Sequence, residues 1–285
     1  MKYIILVLGS LFIISSCSKP VDPVQPAATA STLLNVNYGN DALQNFDIYL
    51  PANRTTATTR LIILIHGGGW NEGDKTDFNP FIDTLKNRFP GWAFANINYR
   101  LATFPGIHIF PTQENDVKSC LEYIYSKRNE YAISGKWVLL GASAGGHLSL
   151  LQGYKYNVPL KPKAIVNFFG PSDMADMYNH PASSFVDTSL IRQLMSGTPL
   201  TNPLLYQQSS PLHFVNAQSP ATLTLQGGAD PLVPAYQQET LHNALNSFHV
   251  TNQLKIYPGE SHGWVGTNLV NSFDLIQQFL NQYVP

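Results

Sequence analysis

Charged side chains are scarce in this chain of 285 residues: Asp, Glu, Lys and Arg together make up 12%, against about 25% in an ordinary soluble domain. With 17 Lys and Arg against 18 Asp and Glu the net charge is −1, so no basic field exists to condense on nucleic acid or anionic lipid. Nucleic acid is thereby excluded as a partner. The only cysteines, Cys17 and Cys120, could pair once at most and form no metal-binding cluster. The eight histidines lack the His-x-x-x-His spacing of a helical metal pair, so no metal site is expected. No apolar run reaches the roughly 20 residues that span a bilayer. What is present is a hydrophobic fraction of 44%, enough for a large core and incompatible with disorder along most of the chain. Asn, Gln, Ser and Thr take the place of the missing charge.

Lys2 is followed by a largely apolar run over residues 3–14, the right length for the hydrophobic region of an export signal. The run closes on Ile14-Ser15-Ser16-Cys17, which resembles the bacterial lipobox. That resemblance implies cleavage before Cys17, lipidation of its thiol and acylation of its amine, and anchoring by more than one acyl chain is what makes membrane attachment stable. Residues 1–17 are thus read as a lipoprotein signal peptide and the protein as exported and lipid-anchored in a bacterial cell envelope. An ordinary secretory signal with an incidental cysteine is the plainer reading. With Cys17 lipidated, Cys120 is left as a small buried hydrophobe among Val117, Leu121 and Ile124. Residues 18–31 are mostly Pro, Ala, Thr and Val without an aromatic residue, which reads as an extended tether. The folded domain spans residues 32–285.

Within it, residues 33–38 and 45–50 read as opening strands around the turn Gly39-Asn40-Asp41. Leu61-Ile62-Ile63-Leu64-Ile65 has the unbroken aliphatic character of a parallel strand buried on both faces. Apolar runs at 93–97, 137–140, 164–169, 221–225 and 254–257 alternate with amphipathic helical patterns, one of them carrying Val270, Phe273, Ile276, Phe279 and Leu280. The fold class is therefore α/β, a mainly parallel sheet of about eight strands with helices on both faces. Residues 171–220 form a lid-sized insertion. Reactive groups in such sheets gather at the carboxyl ends of the strands.

Gly141-Ala142-Ser143-Ala144-Gly145-Gly146 lies between a buried strand and a helix, the context required of a Gly-x-Ser-x-Gly nucleophile elbow. Only small neighbours fit so sharp a turn. Upstream, His66-Gly67-Gly68-Gly69-Trp70 follows the buried strand, and glycines there can aim backbone N–H groups at a developing oxyanion. Gly68, Gly69 and Ala144 are the expected donors. His66 is read as fixing the loop, and Trp70 as walling the acyl pocket or packing beneath it. A serine needs a histidine to take its proton and a carboxylate to hold that histidine, in the order Ser, acid, His. Asp230, in Gly228-Ala229-Asp230-Pro231, and His262, in Glu260-Ser261-His262-Gly263, each follow a strand and fill those places. Asp173 is the rival acid, and His213, His242 and His249 are rival bases in helical or connecting stretches. Arg100 and Asp116 read as a structural ion pair, and His147 as a packing or hydrogen-bonding residue.

Together with Asn98-Tyr99-Arg100-Leu101 and Asp230-Pro231-Leu232-Val233-Pro234, these motifs resemble the α/β-hydrolase superfamily. The nearest likeness is to the bacterial feruloyl and acetyl xylan esterase-like branch, then to the hormone-sensitive-lipase-like carboxylesterases. The resemblance implies a serine esterase that removes small acyl groups, acetyl or feruloyl, from a polysaccharide or other small ester through an acyl-enzyme, with no cofactor. Amide, formamide or peptide hydrolysis on the same fold is an alternative. So is a non-catalytic surface binding protein on a hydrolase scaffold, although every catalytic position is filled.

Overall fold

The computed structural model describes residues 28–184 and 186–285. The expected signal peptide, Cys17 and most of the expected tether lie outside the described residues. Among the described residues no helix is long and apolar enough to cross a membrane.

Eight strands form one sheet in the order β1-β2-β4-β3-β5-β6-β7-β8. They are β1 (Ser31–Asn37), β2 (Asn45–Leu50), β3 (Leu61–Ile65), β4 (Ala93–Ile97), β5 (Trp137–Ala142), β6 (Ala164–Phe168), β7 (Ala221–Gly227) and β8 (Asn252–Tyr257). The first two run antiparallel to their neighbours and the rest are parallel. β3, β4 and β5 are entirely or almost entirely buried, as strands covered on both faces must be. The chain passes from β3 outward to β4 and then returns to the other side of β3 to form β5, and this reversal opens a crevice at the carboxyl ends of β3 and β5. Ile65 pairs in register with Gly141 there. The loops that leave these two strands carry the glycine-rich motif and Ser143.

The end of the expected tether is structured instead. Ala28 O accepts from Asn53 N at 2.7 Å, Thr29 O accepts from the Arg54 guanidinium, and Ser31 opens β1. Composition cannot show this, because the contacts are backbone carbonyls that any residue supplies.

α1 (Asn79–Arg88) and α8 (Gly266–Tyr283) cover one face of the sheet, burying Ile82, Leu85, Phe273, Ile276, Phe279 and Leu280 against Leu64, Val138 and Val166. Val270 of α8 points to solvent instead, 54% exposed. The opposite face is covered by α2 (Thr112–Ser126), α3 (Ala144–Lys155) and α7 (Ala235–Ser247). The expected insertion contains α4 (Met174–Asn179), α5 (Thr188–Leu194) and α6 (Pro203–Gln208). Met174, Met177, Ile191, Leu194 and Tyr206 from these short helices join the same core cluster as α2 and α3, so the insertion is packed into the domain. Cys120 is buried in that cluster as a free thiol.

Candidate active site

β5 ends at Ala142, and Ser143 takes φ 54° and ψ −120° before α3 begins. A residue with a side chain held there costs of order 1–3 kcal/mol and persists only where its surroundings enforce it. Ser143 N donates to Phe168 O at 2.8 Å, and Ser143 O accepts from His147 N at 3.0 Å. The steric reason for the small neighbours is explicit. A Cβ on Gly145 would lie 1.9 Å from Ile65 O, and one on Gly141 would lie 2.1 Å from Gly145 O.

His262 Nε2 lies 2.9 Å from Ser143 Oγ, and Nδ1 lies 2.8 Å from Asp230 Oδ2. A carboxylate at that distance calls for a proton on Nδ1, which leaves Nε2 free to accept the serine hydroxyl. The Asp230 carboxylate is shut off from solvent. Its Oδ1 accepts from Leu232 N at 2.8 Å and Val233 N at 3.0 Å, and Oδ2 also accepts from Gln226 Nε2 at 3.1 Å. On its other side the imidazole meets the Phe169 ring, with centroids 4.5 Å apart.

The glycine-rich loop crosses beside this line, close enough that a Cβ on Gly67 would sit 3.3 Å from Ser143 Cβ. Gly68 has φ 97°, and a Cβ there would fall 2.2 Å from Glu72 O. Among the described residues no acceptor takes the N–H of Gly68, Gly69 or Ala144, so all three expected donors are without partners. His66 holds the loop as expected. Its Nδ1–H donates to Gly67 O at 2.8 Å, and burial lowers its pKa, which keeps the ring neutral. Tyr99 stacks on His66 with centroids 4.2 Å apart and donates its hydroxyl to His66 O at 3.0 Å and Gly67 O at 3.1 Å.

Of the two readings of Trp70, the structure supports packing beneath the loop. The side chain is 3% exposed within the core cluster, and its indole N–H donates to His147 Nδ1 at 3.1 Å. Its polar edge is thereby turned to a buried acceptor in the core. A nearby cavity of about 210 Å³ is lined by other residues, among them Phe81, Ala142, Phe169, Gly263, Trp264 and Phe273.

The rivals have other work. Asp173 caps α4, accepting from Ala175 N at 2.9 Å and Asp176 N at 3.0 Å. His213 lies in a short 3-10 turn, His242 in α7 and His249 in the turn after it, and neither they nor Asp173 bonds Ser143 or His262. Asp116 grips Arg100 through both carboxylate oxygens, at 2.7 and 2.9 Å. Gln226, Tyr99 and Phe169 were not legible as part of the site. Gln226 left one signal, an amide directly after the apolar run Leu223-Thr224-Leu225 and still within β7. Among the described residues no group of three or more His, Cys, Asp or Glu side chains could hold a metal ion.

A strained serine on a strand-to-helix elbow, an acid and a histidine on the loops after β7 and β8, and this sheet order define the α/β-hydrolase fold. The chain belongs to the BD-FAE family, whose model matches residues 46–245. It is 26% identical over 264 residues to esterase LipC of Mycobacterium tuberculosis, covering 87% of this chain and 64% of LipC. The chain thus spans less than two thirds of that curated relative. Among solved structures, a truncated carbohydrate esterase from gut microbiota matches with TM-score 0.75 and 26% identity over 91% of this chain and 98% of that one. A bifunctional GH43-CE protein of Bacteroides eggerthii matches with TM-score 0.75 and 25% identity, over 88% of this chain and 38% of that one.

Proposed function

We propose that this protein is a serine carboxylic ester hydrolase acting through Ser143, His262 and Asp230. The observation that carries the reading is the unbroken hydrogen-bonded line from Ser143 Oγ through His262 to Asp230, set beside three unpartnered amides. Ser143 Oγ attacks the ester carbonyl carbon while His262 Nε2 takes its proton, and the carbonyl π electrons move onto oxygen. The N–H groups of Gly68, Gly69 and Ala144 receive that oxyanion, and each such donor is worth about 3 kcal/mol of barrier. Collapse breaks the bond to the alcohol oxygen, which leaves with the proton from His262. Water, deprotonated by the same nitrogen, then hydrolyses the acyl-enzyme.

The substrates we propose are acetyl or feruloyl esters of a neutral polysaccharide or its fragments, with the acyl group in the apolar cavity beside His262. The family, the carbohydrate esterases among its structural neighbours and the weakly charged polar surface support this. Export and a lipid anchor on Cys17 complete the proposal, on the strength of Ile14-Ser15-Ser16-Cys17. Mass spectrometry of the mature N-terminus should find a lipidated Cys17, and an unmodified cysteine would refute the anchor.

Acetate, butyrate and octanoate p-nitrophenyl esters, acetylated xylan, methyl ferulate and matched anilides distinguish the reactions. Esters should be cleaved and anilides much more slowly. Ser143→Ala should lower kcat about 10⁶-fold in a folded protein. A folded, uncontaminated Ser143→Ala that still turns over would remove the assignment.

A further inference from the structure

His147 lies outside the proposed line of proton transfer, yet it is fully buried and uses both ring nitrogens. Nε2 donates to Ser209 O, just past the end of α6, at 2.6 Å. Nδ1 accepts from Trp70 Nε1 at 3.1 Å, and the indole and imidazole rings meet edge to face with centroids 5.2 Å apart. Its backbone N–H donates to Ser143 O at 3.0 Å. One residue thus touches the nucleophile's backbone, the glycine-rich loop and the inserted helices.

Trp70 is an unusual place to end that loop. Its φ is 65°, a left-handed conformation that a side chain disfavours, and it follows Gly68 and Gly69, which also have positive φ. Two bonds fix the residue. Its carbonyl accepts from Ala102 N at 2.9 Å, and its side chain reaches His147. Both ring nitrogens being satisfied requires the neutral imidazole with its proton on Nε2, since a proton on Nδ1 would face the indole N–H. Burial agrees, pushing the His147 pKa down to about 4.

We infer that His147 is a positioning residue that holds the oxyanion donors Gly68 and Gly69 in place by accepting the Trp70 indole N–H. The inference rests on the proposed esterase chemistry and deepens it. The Ser209 bond ties α6 to the same ring and anchors the insertion, whereas the Trp70 bond is the one that acts on the reaction.

Two substitutions at one position separate these bonds. His147→Asn puts an acceptor near the place of Nδ1 and loses the donor to Ser209, while His147→Gln offers a donor near Nε2 and loses the acceptor. Trp70→Phe keeps an aromatic ring in the core but removes the N–H together with the rest of the pyrrole ring, so it is read beside His147→Gln, which leaves Trp70 whole. The readouts are kcat and KM for p-nitrophenyl acetate, inhibition by a phenylboronic acid whose tetrahedral adduct places an oxygen on the same amides, and the melting temperature. Trp70→Phe and His147→Gln should lose about tenfold in kcat, the equivalent of one hydrogen bond. KM should stay within about twofold and boronate affinity should fall by a similar factor as kcat. His147→Asn should retain kcat within about threefold even where its melting temperature falls. Wild-type kcat and boronate affinity in both Trp70→Phe and His147→Gln would overturn the inference, as would losses in all three variants that follow their melting temperatures alone. Failure of the wild type to cleave any ester would instead remove the esterase reading.

Discussion

The two arms that flank Ser143 are secured in different ways. On the base side, a single imidazole reaches the serine, and behind it stands one carboxylate closed off from water and gripped by two backbone amides and Gln226. The proposed donor side is built differently. Its backbone is shaped by glycines and held from below by neutral rings, Tyr99 and His66 stacked on each other and Trp70 against His147. A charge that must support a proton transfer is placed by direct bonding to the transferring group. Dipoles that must be ready before charge develops are placed by rigid packing, since any reorganisation would raise the barrier.

Breaking the base arm has the larger effect. Asp230→Asn keeps the size of the side chain but no longer favours a proton on Nδ1 of His262, so kcat should fall about 10⁴-fold, as tautomer loss does in comparable triads. Steady-state kinetics on p-nitrophenyl acetate measure this, and a loss under about tenfold would mean that the carboxylate is not what holds the base. The donor arm responds next, and through stability. The His147 imidazole has an ordinary value of 6.5 but is held near 4 in the fold. Between those values the unfolded chain binds more protons than the native one. Stability should therefore fall as pH drops through that window and level off below it, by about 3 kcal/mol in total. His66, whose pKa burial also lowers, adds to the same trend. Urea midpoints at pH 7 and pH 5 measure it, and His147→Asn should flatten the slope. The smallest effect is expected from Tyr99→Phe, which leaves the His66 and Gly67 carbonyls short of one shared donor. About 1 kcal/mol of stability and a loss in kcat of less than about tenfold should follow, with KM unchanged.

The fold and the three residues that meet in one hydrogen-bonded line, Ser143, His262 and Asp230, were legible in the sequence because each rests on a local signal. β3 reads as buried from Leu61–Ile65 alone, the elbow is a string of small residues around Ser143, and Asp230 and His262 follow recognisable strands. The supporting contacts were not legible, because they join distant positions. Trp70 and His147 are separated by 77 residues and Tyr99 and His66 by 33, and nothing local to Trp70 shows whether its indole meets substrate or core. The order at residues 28–31 escaped for a related reason, since a proline- and alanine-rich stretch can be held by its carbonyls alone. Val270 shows the limit of periodicity, which marks an apolar stripe but not its edge.

The central claim is that Ser143, activated by His262, is the nucleophile. Incubation with diethyl p-nitrophenyl phosphate followed by peptide mass spectrometry tests it most directly. A single diethylphosphoryl adduct on the peptide containing Ser143 is expected, forming in step with the loss of esterase activity and much more slowly in His262→Ala. Inactivation with the adduct on another residue, or an unmodified Ser143 in fully inactivated protein, would contradict it.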